Sequence, residues 1–147
     1  MEAMNQTITI IDAEGLILGR MASIVAKRLL ENENIIIANA EKAVLSGKKK
    51  SRLKEVKKFL EVGHPKKGPF HYRRPDRIVR KTVRGMLPFK QPKGKQAFKR
   101  LRVSIGIPEG FKKQKMETLA EASAEKLTCP YLTLGQLAKE IGWNQGE

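Results

Sequence analysis

The sequence is poor in the residues that build disulfides, metal sites and membrane spans. Its single cysteine, Cys129, has no partner for an internal disulfide, and the simplest interpretation is a small buried or half-buried side chain. His64 and His71 have no cysteine or carboxylate at metal-ligand spacing, so no metal is expected. The longest apolar run, residues 35–38, is far shorter than the ~20 residues that span a bilayer. Because no apolar leader segment opens the chain either, a cytoplasmic protein without a membrane partner is expected.

Acidic residues are scarce in the middle third of the chain. The net charge of the whole sequence is +15. Residues 48–102 contain 21 lysines and arginines but only 3 acidic residues, whereas the rest of the chain contains 9 basic and 12 acidic residues. A positive block of this size destabilises a compact domain unless a polyanion neutralises it. The block has no broad apolar face and no lipidation motif, so nucleic acid is favoured over a membrane surface.

Hydrophobic periodicity predicts an α/β fold for the first third of the chain. Residues 7–11 (TITII) and 34–39 (NIIIAN) match the pattern of buried strands. Between them, apolar residues recur at helical spacing over residues 18–33, which predicts an amphipathic helix. A strand, a helix and a strand in about 30 residues indicate a βαβ unit and hence a parallel sheet. Residues 43–46 and 103–107 are candidates for further short strands.

The basic segment predicts short helices separated by a loop. Residues 51–62 carry apolar side chains on one face and lysines on the other, and residues 95–101 are predicted to form a short basic helix. Pro75 suits the first turn of another helix, because apolar residues follow it at helical spacing. The glycines and prolines of residues 63–75 break regular structure before it. Near the end of the chain, a last helix is predicted at residues 134–141.

Aromatic residues are few, yet three ring side chains stand beside two arginines in this loop: Phe70, His71, Tyr72, Arg73 and Arg74. A guanidinium fork binds phosphate oxygens bidentately, and its plane stacks on unpaired bases. Tyrosine and histidine rings offer a similar stacking surface, which suits looped RNA better than B-form DNA. Alternatively, Phe70 and Tyr72 only anchor the loop to the core. The sequence does not decide between these two roles.

Two motifs that point to other functions are incomplete. Gly15 and Gly19, between a strand and a helix, resemble part of a dinucleotide loop. Ile17 and Arg20, however, occupy the positions of the second and third glycines of that fingerprint. Arg20 stands near the helix start, where a phosphate is favoured. Residues 132–142 resemble the first helix of a helix-turn-helix, but the five residues that follow are too few for a recognition helix.

Four stretches of the sequence together resemble one known family. They are DAEG at 12–15 with LGRMAS at 18–23; NAEK at 39–42 with SGK at 46–48; GPFHYR at 68–73 with TVRGMLP at 82–88; and residues 94–102 with GIP at 106–108. On these motifs, which extend over nearly the whole chain, the protein resembles the L13 family of large-subunit ribosomal proteins in its archaeal form. Two departures are small: Met21 stands where the family commonly has leucine, and Phe89 where a histidine often follows Met-Leu-Pro.

The resemblance implies a fold and a function. It implies one compact α/β domain over residues 1–147, with a mostly parallel, Rossmann-like sheet between helices in three layers and a basic helix and loop extension. It also implies a non-enzymatic structural constituent of the ribosome, which binds and stabilises folded 23S-type rRNA and supports subunit assembly in the cytoplasm. Large-subunit rRNA and neighbouring ribosomal proteins are the implied partners, with no cofactor, metal or small-molecule substrate. The rival hypotheses are a DNA-binding or chromatin-like protein and a nucleotide-using enzyme.

Most of the basic residues in the segment 48–102 are predicted to contact RNA phosphates. Arg20 is added because it lies at the start of a predicted helix. His71 and Tyr72 are added as ring contacts. Gly68 and Gly85 are predicted to let the RNA backbone approach closely. The predicted RNA-binding residues are Lys48, Lys49, Lys50, Arg52, Lys66, Lys67, His71, Tyr72, Arg73, Arg74, Arg77, Arg80, Lys81, Arg84, Lys93, Lys95, Lys99, Arg100, Arg102 and Arg20.

Overall fold

The computed structural model describes residues 7–144, which contain five strands and five α-helices. In chain order they are β1 (Ile8–Asp12), α1 (Leu18–Leu30), β2 (Asn34–Ala38), β3 (Val44–Ser46), α2 (Lys49–Glu61), α3 (Pro75–Gly85), α4 (Pro92–Lys99), β4 (Leu101–Val103), β5 (Tyr131–Thr133) and α5 (Leu134–Glu140). Short 3₁₀ helices occur at Ala40–Lys42, Glu109–Phe111, Ala120–Ala122 and Ala124–Lys126.

Three parallel strands form the central sheet, in the order β1-β2-β4. Ile8 is opposite Asn34 at one end of the β1–β2 pair, and Asp12 is opposite Ala38 at the other. The strands β1 and β2 are consecutive and are joined through α1, which confirms the predicted βαβ unit. The β-branched isoleucines that dominate both strands suit a sheet that is covered on both faces.

One face of the sheet packs against α1, α3 and α4. The α1 helix buries Met21, Val25 and Leu29, which recur at a spacing that places them on one side. In α3, Val79 and Val83 are one turn apart and fully buried in the same core. Burial of each of these side chains contributes roughly 1.5–3 kcal/mol to folding. This layer therefore fixes the orientation of α3, which carries much of the basic surface.

An irregular segment, residues 104–117, covers the opposite face of the sheet. Ile10 and Ile36 on this face pack against the partly buried Phe111 and Met116. The family resemblance implies helices on both faces of the sheet, whereas this third layer is mostly coil with one 3₁₀ turn. The α/β class, the mostly parallel sheet and the single compact domain are confirmed for the described residues.

A network of ion pairs fastens this irregular segment to α1. The Arg28 guanidinium donates two hydrogen bonds to the Glu117 carboxylate, at 3.0 and 3.2 Å, and a third to Glu33 at 3.0 Å. The side-chain hydrogen bond to Glu117 is the main cause that raises the pKa of Arg28 above its ordinary value, and partial burial acts against it. The backbone N–H of Glu117 also donates to the Ile10 carbonyl at 2.7 Å. The segment is therefore attached to both α1 and the edge strand.

The strands β3 and β5 form a separate antiparallel sheet, and β5 leads directly into α5. A capping box begins this helix: the Thr133 hydroxyl accepts a hydrogen bond from the Gln136 N–H at 3.3 Å, and the Gln136 side chain accepts one from the Thr133 N–H at 3.2 Å. The helix buries Leu134, Leu137 and Ala138 against the domain. It is a docked helix, which agrees with the lack of a following recognition helix in the sequence.

Three local predictions were wrong. The first helix ends at Leu30 rather than at residue 33, because Asn32 adopts a left-handed backbone conformation with φ of +70°. The strand β4 ends at Val103 rather than at residue 107, because the chain turns at Gly106 with φ of +72°. Cys129 is exposed rather than buried, since it lies in the surface connection that precedes β5.

Candidate nucleic-acid interface

The α3 helix places a row of cations on the surface. Val79 and Val83 define its buried face, so the helical period of ~3.6 residues turns Arg77, Lys81 and Arg84 toward solvent. All three side chains are exposed. Within residues 7–144, no carboxylate lies at ion-pair distance from any of the three. Their positive charge is therefore available to an external anion.

Two arginines of α3 are held over aromatic rings. The Arg80 guanidinium lies 4.5 Å from the centre of the Phe98 ring, and that of Arg84 lies 4.1 Å from the centre of the Phe89 ring. The two rings contact each other edge to face, with centroids 5.5 Å apart. Stacking on a ring orients the guanidinium plane and leaves N–H groups at its edge for a phosphate. The aromatic pair thus pre-organises two cations that the sequence analysis treated as independent.

A polar groove of about 410 Å³ runs between α3 and β4. Arg77, Arg80, Lys99 and Arg102 line it, together with one acidic residue, Asp76. Four cations around one groove, with a single carboxylate, create a strongly positive local potential. The fold thus brings together predicted RNA-binding residues of α3, α4 and β4, whose proximity the sequence does not indicate.

A second groove, of about 600 Å³, begins where α3 ends at Gly85 and is also lined by Arg84, Phe89 and Lys90. A Cβ built on Gly85 would meet nothing within 4 Å, so the fold itself does not need glycine there. Its bare backbone is open, which is the condition that the predicted close approach of RNA requires. Gly68 differs, because its φ of +78° is a conformation that favours glycine whatever binds nearby.

The loop between α2 and α3 is closed by its own backbone. The His64 N–H donates to the Gly68 carbonyl at 3.0 Å, and the Gly68 N–H donates to the His64 carbonyl at 2.8 Å. Lys66 and Lys67 occupy the tip of this small ring and are exposed. Glycine is required at position 63, where φ is +117°, because a Cβ there would lie 2.9 Å from the Pro69 ring on the other arm of the loop. The loop therefore displays two lysines at a defined position.

His71, rather than its aromatic neighbours, anchors this loop. Its Nε2 lies 2.9 Å from the carbonyl oxygen of Val62, and its ring centroid lies 4.1 Å from that of Phe59. In contrast, Phe70 is 69% exposed and Tyr72 is 47% exposed. Of the two roles considered for Phe70 and Tyr72, the exposed positions favour contact with a ligand over simple anchoring.

Three of the predicted RNA-binding arginines also donate hydrogen bonds to the protein backbone. Arg52 donates to the Ser46 carbonyl at 2.6 Å, Arg73 to the Ile141 carbonyl at 2.8 Å, and Arg100 to the Leu29 carbonyl at 2.8 Å. The carbonyls of Ile141 and Leu29 lie at the C-terminal ends of α5 and α1, where the intrahelical ladder leaves acceptors without donors. Arg73 and Arg100 therefore stabilise helix ends as well as adding charge.

The remaining predicted residues are exposed, and two of them make ion pairs within the protein. The Lys49 ammonium lies 3.5 Å from the Glu140 carboxylate, and the Arg74 guanidinium lies 3.4 Å from that of Asp76. Because the cation of each pair is exposed, these pairs contribute about 1 kcal/mol or less and leave both cations available. None of this group lines either of the two grooves. Its members are Lys48, Lys49 and Lys50 at the start of α2, Lys93 and Lys95 on α4, Arg74 before α3, and Arg20 on α1.

The predicted RNA-binding set does not include several other exposed cations or the aromatic rings that support the arginines. Lys54, Lys57 and Lys58 lie on the outer side of α2, and Lys90 borders the larger groove. Helical spacing already places these lysines opposite Leu53 and Val56, which are partly buried, but they are not included in the predicted RNA-binding set. The role of Phe98 depends on the position of α4 beside α3, whereas Phe89 follows α3 in the next turn, and no local pattern marks either ring.

Neither a metal site nor a membrane span is found in the described part of the chain. No group of three His, Cys, Asp or Glu side chains within residues 7–144 could hold a metal ion. None of the helices in this range is long and apolar enough to cross a bilayer.

Comparison with known proteins identifies the family of this chain. The family model of ribosomal protein L13 matches residues 6–110. The chain belongs to the ribosomal protein L13 family. It is 49% identical over 138 residues to the large ribosomal subunit protein uL13 of Methanopyrus kandleri, covering 92% of this chain and 87% of that protein. The uL13 proteins of Methanosarcina barkeri and Methanocaldococcus jannaschii are each 46% identical, covering 92% of this chain and 98% of each of those proteins.

These matches agree with the resemblance drawn from the sequence motifs, including its archaeal form. The L13 model includes the whole basic segment, residues 48–102, and ends at residue 110, before β5 and α5. The similarity to the archaeal relatives extends over 137 to 140 residues, which is more of the chain than the family model matches.

Proposed function

We propose that this protein is a structural, non-enzymatic constituent of the large ribosomal subunit that binds and stabilises folded 23S-type rRNA. The observation that carries the proposal is the α3 surface, where Arg80 and Arg84 are stacked on rings and Arg77 and Lys81 have no acidic partner within residues 7–144. Pre-oriented guanidiniums without internal counterions fit the phosphate oxygens of a folded RNA. The described residues offer no catalytic constellation that competes with this role.

The proposal includes the place and partners of the protein. Residues 1–147 act as one L13-like domain in the cytoplasm, within the large subunit, in contact with rRNA and neighbouring ribosomal proteins. The predicted basic residues of the segment 48–102, with Arg20, His71 and Tyr72, are the proposed RNA-contacting set. Because the basic charge lies on helices and a closed loop rather than on a flexible tail, it supports subunit assembly by neutralising phosphates at fixed positions.

The deciding experiment is co-sedimentation with large subunits through a high-salt wash. We expect the protein to remain bound when loosely associated basic proteins are released. Its cations are held at fixed positions, so many phosphate contacts must be broken at the same time for the protein to dissociate. Loss of the protein at moderate salt would contradict a constituent role. In a parallel competition at matched salt, structured RNA should displace the protein from duplex DNA. Within residues 7–144, no structural feature favours the DNA-binding alternative, since α5 is docked and buried on one side.

Arg73 and Arg74 are adjacent but are expected to respond differently to substitution. Arg73→Gln should lower the melting temperature by about 3 °C, because the hydrogen bond to the Ile141 carbonyl, of about 1 kcal/mol, is lost. Arg74→Gln should leave the melting temperature unchanged, since the Arg74 side chain is 59% exposed and its ion pair with Asp76 contributes little. Both variants should bind an rRNA fragment more weakly, with a shallower salt dependence. Thermal denaturation and RNA titration at several salt concentrations test this; identical melting curves would refute the structural role of Arg73.

A further inference from the structure

An apolar pocket of about 180 Å³ opens beside the basic surface, between α2, α3 and α5. Its walls include Phe59, Leu60, His71, Tyr72 and Ile78, with the Lys81 side chain also in its lining. The pocket is therefore aromatic and apolar inside a segment whose surface is otherwise strongly positive.

Two of the rings in this pocket remain largely open to solvent. Phe59 is 52% exposed and Tyr72 is 47% exposed. The ammonium of Lys81 lies 5.3 Å from the centroid of the Phe59 ring and 6.0 Å from that of Tyr72, so one cation serves both rings. His71 holds Phe59 in place through its own ring, at 4.1 Å. Exposed apolar surface that is fixed in this way is typical of a binding site.

We propose that this pocket binds one unpaired nucleobase of the RNA, which stacks on Tyr72 or Phe59 while Lys81 contacts an adjoining phosphate. The inference rests on the proposed function and gives it a ligand: a bulged or looped nucleotide rather than a regular duplex. Aromatic side chains stack on any base because every base has a π face, whereas the paired bases of an RNA helix are not available for stacking. The pocket therefore adds recognition of RNA shape to a surface that otherwise binds phosphates.

The surrounding charge favours a nucleotide over an apolar side chain of a neighbouring protein. A nucleotide joins a flat apolar ring to an anion, and the pocket joins two exposed rings to a lysine that has no acidic partner within residues 7–144. The only ion pair of α2 with α5 in this range, between Lys49 and Glu140, lies at the other end of α2. An apolar protein side chain would leave the Lys81 ammonium without a counterion.

The test compares two RNAs that differ by one nucleotide. The first is a continuous RNA duplex, and the second is the same duplex with a single bulged 2-aminopurine. The wild-type protein should bind the bulged RNA more tightly and quench the fluorescence of the bulged base. Tyr72→Leu should weaken binding to the bulged RNA about tenfold, leave binding to the continuous duplex unchanged, and keep the same salt dependence. Lys81→Gln should instead make the salt dependence shallower.

Tyr131→Leu is the matched control, because Tyr131 lies on β5, is 55% exposed, and lines no part of the pocket. It should bind both RNAs as the wild-type protein does. If Tyr72→Leu proves unstable, Phe59→Leu should reproduce the selective loss and Tyr72→Phe should restore binding. Equal losses on both RNAs, no loss on either, or an unquenched base would overturn the pocket proposal. Failure of the wild-type protein to bind either RNA in a salt-dependent manner would contradict the proposed function itself.

Discussion

Replacing Arg77, Arg80 and Arg84 together with glutamine is expected to lower the affinity for a folded large-subunit rRNA fragment about 100-fold near physiological salt. Arg80 and Arg84 are held over Phe98 and Phe89, so they reach a phosphate with little loss of side-chain freedom. Each charge-assisted contact is worth about 1–1.5 kcal/mol after solvation, and each lost contact removes the release of about one counterion. Titrations across salt concentrations should therefore show a log–log slope that is shallower by about two to three.

The control removes the same number of charges from another surface. Lys112, Lys113 and Lys115 are exposed on the irregular segment that covers the opposite face of the sheet. Their replacement with glutamine should reduce affinity less than about threefold, because screening confines the effect of a charge to ~10 Å or less. Equal losses from the two triple variants would show that net charge, rather than the α3 surface, drives binding.

A conservative variant separates charge from geometry. Arg84→Lys keeps the positive charge but loses the planar guanidinium that stacks on Phe89 at 4.1 Å. We expect a partial loss of affinity, of about threefold to tenfold, with an unchanged salt dependence. The same titrations measure it. An affinity equal to that of the wild-type protein would mean that the stacked orientation of Arg84 contributes nothing to binding.

Features set by neighbouring residues could be predicted from the sequence. Pro75 at the first turn of α3, with Val79 and Val83 one turn apart, defines a helix and its outward cations without reference to the rest of the chain. The continuous apolar strands and the helix between them define the βαβ unit. Consequently the family, the fold class and the location of the basic surface could all be predicted from the sequence.

Features that depend on packing between distant elements could not be predicted. The ring beneath Arg80 comes from α4, so this pair exists only once α3 and α4 have packed. The ring beneath Arg84 is closer in sequence, in the turn after α3, where it contacts the Phe98 ring of α4. Likewise, the donation from Arg73 joins the loop before α3 to the end of α5, 68 positions along the chain. Residues 104–130 form coil and 3₁₀ turns, which have no hydrophobic period to detect.

Gly94→Ala is expected to be the most destabilising single substitution near the basic surface. Gly94 is buried in the first turn of α4, and a Cβ there would overlap the Pro88 carbonyl and lie 3.0 Å from the Phe89 nitrogen. The clash involves backbone on both sides and cannot be relieved by a rotamer change. We expect a loss of about 3 kcal/mol in the free energy of unfolding, and a melting temperature lower by about 10 °C. Chemical and thermal denaturation measure both quantities.

Gly85→Ala is the matched control, because it makes the same chemical change in open space at the end of α3. Its stability should stay the same or rise by up to about 1 kcal/mol, since alanine favours a helix over glycine. Its affinity for rRNA should nevertheless fall, because the added methyl group projects from backbone that borders the groove of Arg84 and Phe89. Gly94→Ala should lose affinity through the displaced Phe89 ring. A stable Gly94→Ala variant would refute the packing argument, and full RNA affinity in Gly85→Ala would refute close approach at that backbone.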